Sequence, residues 1–209
     1  MPSKPALAGN RSKLQRGKIL RPKLNVVICS TRPGRVGPII ADWFHKVAVE
    51  HSDFDVALVD LAEFKLPVYD EPDHPQRQTY RHEHTKAWAA SVASADAFVF
   101  VTPEYNYGTP PALLNALNYV YREWNYKPAA FVSYGGVFGG GRAVQMAKMT
   151  LNTLKMVPIF EAVVIPFFSK QIETKKFKPN EIQSDAAKSL LKELHRWTQA
   201  LKPLRQARS

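Results

Sequence analysis

From residue 24 onward, short runs that are apolar at nearly every position alternate with longer segments whose apolar residues recur at helical spacing. Such alternation predicts parallel strands joined by crossover helices, because a strand covered by helices on both faces has no polar side to present. Five strands are expected, at residues 24–30 (LNVVICS), 54–60 (FDVALVD), 96–102 (DAFVFVT), 129–133 (AAFVS) and 159–165 (IFEAVVI). Helices are expected at 38–50, 79–94, 110–122, 141–155 and about 183–200. Right-handed crossovers with helices on both faces leave few topologies, and five strands suit a doubly wound parallel sheet of order 2-1-3-4-5. Segments 66–75 and 166–180 read as loops from their Pro, Asp and Asn.

Composition sharpens this picture. A chain of 209 residues with 45% apolar content suits one core. The net charge of +11 would suggest a polyanion or a membrane surface if it covered a folded face, but it is concentrated at the ends. Residues 1–23 hold seven Lys and Arg and residues 201–209 three more, with no acid in either, which leaves 24–200 with 19 basic and 18 acidic groups. The expected organisation is a disordered basic tail over 1–22, a folded domain over 23–201 and a basic tail over 202–209. No apolar run is long enough to span a bilayer and residues 24–200 are nearly neutral, so neither membrane nor nucleic acid is an expected partner. The lone Cys29 excludes an internal disulfide, and a cytoplasmic location fits; a mitochondrial presequence in the basic N-terminus is the alternative.

In an open parallel sheet, ligands bind beyond the carboxyl ends of the strands where the strand order reverses. The loops after strands 1, 3 and 4 carry the unusual residues. The first, Ser30-Thr31-Arg32-Pro33-Gly34-Arg35-Val36-Gly37-Pro38-Ile39, brings hydroxyls, two guanidinium groups and a helix N-terminus to one place, which suits a phosphate. It matches neither G-x-G-x-x-G nor G-x-x-x-x-G-K-[ST], so a monophosphate fits better than a pyrophosphate or triphosphate; the bland alternative is a turn with exposed arginines. The second, Pro103-Glu104-Tyr105-Asn106-Tyr107-Gly108, supplies aromatic faces and amides for a flat heteroaromatic ring. In it Glu104 is either a catalytic carboxylate or a turn-stabilising one. The third, Ser133-Tyr134-Gly135-Gly136-Val137-Phe138-Gly139-Gly140-Gly141-Arg142, holds five of the ten glycines, which lets backbone approach a ligand closely.

Together these segments resemble the NAD(P)H-dependent FMN reductase family over residues 24 to about 167. The resemblance implies a flavodoxin-like FMN-binding domain, usually dimeric, that passes electrons from NADPH or NADH to free flavin, quinones, azo compounds or chromate. It implies that Ser30, Arg32, Arg35, Gly37, Pro38 and Ile39 hold the FMN phosphate. Pro103, Glu104, Tyr105, Asn106 and Tyr107 would meet one edge of the isoalloxazine ring, with Tyr105 and Asn106 positioning the nicotinamide, and Ser133, Tyr134, Gly135 and Gly136 its other side. Hydride transfer to flavin N5 requires no acid–base side chain. Leu114 and Asn118 stand where the family usually has Lys and Asp, which weakens any argument about the dimer more than the argument about flavin.

Other constellations carry less. His82-Glu83-His84 with His74 suggests zinc, but two helical positions two apart diverge by about 200°, and no metal is expected. Tyr119, Tyr121, Trp124 and Tyr126 indicate core or subunit interface, and a homodimer is expected with residues 119–124 at or near the contact. The competing functional classes are a flavodoxin-type electron carrier and a flavin-binding redox sensor or interaction protein; such carriers are usually acidic, and residues 24–200 are not.

Overall fold

The computed structural model describes residues 21–206; the tail expected over 1–22 lies almost wholly outside them. Five parallel strands run in the order β2-β1-β3-β4-β5: β1 (Lys23–Ile28), β2 (Asp55–Asp60), β3 (Ala97–Pro103), β4 (Pro128–Tyr134) and β5 (Val157–Ile165). This is the expected flavodoxin-like, doubly wound sheet. Helices α1 (Gly37–His51) and α6 (Glu181–Gln206) cover one face; α2 (Leu61–Phe64), α3 (Glu83–Ser94), α4 (Pro111–Tyr119) and α5 (Gly141–Thr153) cover the other. Strand residues divide between the two cores by alternation: Val99 and Val101 of β3 face α1 and α6, whereas Phe98 and Phe100 face α3 to α5.

Several boundaries differ from expectation for identifiable reasons. Helix α4 stops at Tyr119 rather than 122, because the buried indoles of Trp88 and Trp124 donate to the carbonyls of Ala116 and Leu117 (2.8 and 3.2 Å), satisfying groups that a helix end leaves open. Helix α3 starts at Glu83 rather than 79, because the buried Glu71 carboxylate accepts the N–H groups of Arg81 and His82 (2.9 and 3.0 Å) and holds them outside the helix. The expected loop 166–180 contains a small hairpin, β6 (Ile172–Glu173) with β7 (Lys176–Phe177). The expected basic C-terminal tail is corrected over 202–206, where α6 continues: Arg205 pairs with Asp96 and donates to the Tyr126 carbonyl, both at 3.0 Å; residues 207–209 lie outside the described residues.

Two rings of the aromatic segment pack inside the chain. Tyr119 and Trp124 are both fully buried, and the Tyr119 hydroxyl lies 2.9 Å from the Pro67 carbonyl and 3.0 Å from Asp70 Oδ1. These rings belong to the core of their own chain.

Candidate active site

Strand β1 delivers its loop to the carboxyl edge of the sheet, and α1 begins at once. Gly37 opens the helix and cannot carry a side chain, since a Cβ there would stand 2.3 Å from Ser30 Oγ. Ser30 is buried beneath this turn, and the Tyr134 hydroxyl reaches its Oγ at 3.3 Å. Burial pushes the Tyr134 phenol above its ordinary value, so it stays a neutral donor. Val36 caps α1 with backbone alone and Pro38 follows Gly37 in the first turn, which leaves the positive helix end without a side-chain cap.

The two arginines of this loop divide in role. Arg35 forks onto Asp60, with Nη1 at 2.6 Å from Oδ1 and Nη2 at 2.5 Å from Oδ2, while Nη1 also donates to the Ser30 carbonyl at 2.5 Å. Arg35 thus ties the loop to the end of β2, because the register Ile28↔Asp60 sets that carboxylate beside it. Arg32 is exposed.

After β3, Tyr105 and Gly108 exchange both backbone hydrogen bonds (3.1 and 2.9 Å) around a two-residue turn in which Asn106 and Tyr107 are left-handed, φ 47° and 67°. Tyr107 is an uncommon occupant of that conformation. Glu104 faces α5: its carboxylate accepts the Arg142 backbone N–H at 3.1 Å and Nε–H at 2.7 Å, and Nη2 lies within ion-pair distance at 2.6 Å. Of the two readings of Glu104 the structure selects the stabilising one. After β4, Gly135 lies so close to Gly140 that a Cβ would stand 2.9 Å from its nitrogen, and Gly140 itself is left-handed at φ +85° against Ser133. Ser133 is fully buried under that contact, and its Oγ has no hydrogen-bond partner among the described residues.

These loops enclose a cleft of about 270 Å³. Arg32 and Arg35 line it from the first loop, Pro103, Glu104 and Tyr105 from the second, and Tyr134, Gly135 and Gly136 from the third. Ser30, Gly37, Pro38 and Ile39 are not among its lining residues, and Asn106 and Tyr107 form the turn that follows Tyr105. Gly34, Val36 and Phe168 complete the lining without having been singled out; Phe168 stands edge-on to Tyr134 at 5.3 Å. A Cβ added at Gly34 or Gly136 meets nothing within 4 Å, so both face open space that a side chain would fill. A mononucleotide needs such a cradle, with bare backbone beside the ring and an uncapped helix end for its phosphate. A larger cleft of about 640 Å³ lies alongside, between Thr31, Leu61, Tyr69 and the α4 face bearing Leu114 and Asn118.

Residues 22–170 match the sequence model of the NADPH-dependent FMN reductases. The chain belongs to this family. It is 43% identical over 151 residues to an NAD(P)H-dependent FMN reductase of Schizosaccharomyces pombe, an alignment covering 70% of this chain and 75% of that one. A shorter match, 43% over 61 residues, links it to an NADPH:quinone oxidoreductase of Arabidopsis thaliana, over 28% of this chain and 31% of that one. Its fold is similar to that of FerB, a flavoenzyme NAD(P)H:(acceptor) oxidoreductase of Paracoccus denitrificans, with a TM-score of 0.68 at 21% identity over 86% of this chain and 98% of that one. As a member of the FMN reductase family, the chain is an FMN-dependent NAD(P)H oxidoreductase.

The histidines 82 and 84 depart from expectation without becoming a metal site. His82 precedes α3 in extended conformation, so the two rings stack at 5.2 Å instead of diverging, both toward Asp70. Among the described residues no group of three His, Cys, Asp or Glu could hold a metal, and no helix is long and apolar enough to cross a membrane. Cys29 is buried, and desolvation raises its thiol well above the ordinary value, which makes it an inert core residue.

Proposed function

We propose that this chain reduces a small quinone-type acceptor at an FMN held between the three strand-end loops. The observation that carries the reading is the cleft itself, where Gly34 and Gly136 present bare backbone to open space beside an uncapped helix end. Arg32 and the first N–H groups of α1 hold the phosphate, and Arg35, through Asp60 and the Ser30 carbonyl, keeps that loop in shape. Pro103, Tyr105 and the Asn106 turn meet one side of the ring, and Gly135 and Gly136 the other. Bound FMN supplies the two-electron chemistry, taking hydride from NAD(P)H and giving it to the acceptor. The protein's part is to order the ring and admit two substrates in turn, which calls for an open cleft and no acid–base side chain.

The quinone preference is supported by the plant relative's name, with free flavin, azo compounds and chromate as the other acceptors to assay. A homodimer belongs to this reading, seated on the α4 face at the larger apolar cleft, as does a cytoplasmic location. The test is paired titration with FMN and riboflavin. FMN is expected to bind about a hundredfold more tightly, the worth of one or two charge-assisted phosphate contacts. Equal affinities would remove the phosphate site. Steady-state NADPH oxidation with a quinone separates this enzyme from an electron carrier, which would show no turnover.

A further inference from the structure

We propose that Arg142 is a positioning residue for flavin reduction: its guanidinium sets the separation of the two loops that flank the isoalloxazine ring. The inference rests on the FMN site described above. Arg142 begins the first turn of α5, on the far side of the glycine loop, yet its side chain reaches back to the β3 loop. Its Nε donates to Glu104 Oε1, Nη2 pairs with the same oxygen, and Oε2 takes the Arg142 backbone N–H, so the contact is fixed at three points. The guanidinium carbon lies over the rings of both Tyr107 and Phe138, 3.6 and 4.0 Å from their centroids. One residue of each loop thus stacks on one cation.

This arrangement explains three otherwise unrelated features. Tyr107 and Phe138 are large rings held at the surface, 70% and 57% exposed, although neither enters the core. Tyr107 sits in a left-handed turn that disfavours it, and stacking on Arg142 holds it there. Glu104 lines the cleft without offering its charge to a ligand, because that charge is matched from behind. The cleft walls at Tyr105 and Gly136 lie one and two residues from residues of this clamp, Glu104 and Phe138. The clamp therefore acts on the ring and not on the phosphate, which the β1 loop holds.

The experiment compares the full chain with Arg142→Met, Arg142→Lys and the phosphate-loop variant Arg32→Ala. It measures dissociation constants for FMN and for riboflavin, the visible circular dichroism of bound flavin, and kcat against KM for NADPH. Arg142→Met is expected to weaken FMN and riboflavin by the same factor, about tenfold, leaving their ratio intact. It should change the visible dichroism and lower kcat more than it raises KM. Arg142→Lys, which keeps the charge but loses the planar fork, should recover little. Arg32→Ala should instead collapse the FMN-to-riboflavin ratio. Unchanged riboflavin affinity and dichroism in Arg142→Met would overturn the proposal, and so would a fall in the ratio, which would make Arg142 a phosphate ligand. If Arg142→Met fails to fold, Phe138→Leu removes one face of the stack and is read in the same way. A parent that binds neither flavin would overturn the FMN site itself and the inference with it, whereas a parent that binds and a variant that matches it would overturn the inference alone.

Discussion

At the scale of the residue, glycine positions separate what the fold needs from what the ligand needs. Gly37 is required by packing, since its Cβ would collide with Ser30 Oγ, whereas Gly136 has nothing within 4 Å to collide with. Gly136→Val should therefore leave the melting temperature of the apoprotein within about 2 °C of the parent, as an unobstructed surface change does, while weakening FMN at least tenfold by filling the cradle. Calorimetry beside a flavin titration checks both halves; a large loss of stability with normal FMN affinity would reverse the assignment. Arg35 shows how far a sequence carries such assignments. Its loop marked it as an anion ligand but did not show its Asp60 partner, which is 25 residues away and adjacent only through the 2-1-3 strand order. An acidic residue ending the strand beside the phosphate loop was the available signal. Ser133 offered none, because its burial under Gly140 depends on a left-handed glycine that the sequence does not specify.

At the scale of the element, the strands were legible because both faces are covered and nearly every position is apolar, while helix ends were not, because distant side chains set them. Helix α6 runs through Pro203, a residue that normally stops a helix, since Leu201 is buried and Arg205 is anchored to Asp96 and Tyr126. Deleting residues 202–209 should lower the melting temperature by roughly 3 to 8 °C, the worth of one partly buried ion pair and its backbone bond. An unchanged melting temperature would return this segment to the status of a tail. Glu71, which accepts the N–H groups of Arg81 and His82 just before α3, gives a pH-dependent test. Burial works to raise its carboxyl, but the Arg81 and His82 N–H groups hold it below its ordinary value. A depressed carboxyl contributes stability above the usual glutamate range and loses it as pH falls through its folded value. Glu71→Gln should thus melt several degrees lower at neutral pH, with the gap to the parent closing below about pH 4. A gap that stays constant down to acid pH would show that the ionised carboxylate is not what holds these N–H groups.

At the scale of the whole molecule, the basic charge and the chemistry occupy different parts of the chain. The excess of Lys and Arg lies at its ends, while the nearly neutral stretch 24–200 builds the sheet whose strand ends form the cleft. Three loops meet only if the strands take the observed order, and that order followed from the alternation of strands and helices together with right-handed crossovers. Phe168 escaped notice because it follows the last strand, on a segment whose composition gives only a loop. The most direct test of the account is an anaerobic titration of the FMN-loaded chain with NADPH, followed by flavin absorbance. Stoichiometric bleaching, with colour restored by adding a quinone, is the predicted result. Bound FMN that NADPH leaves fully oxidised would contradict it.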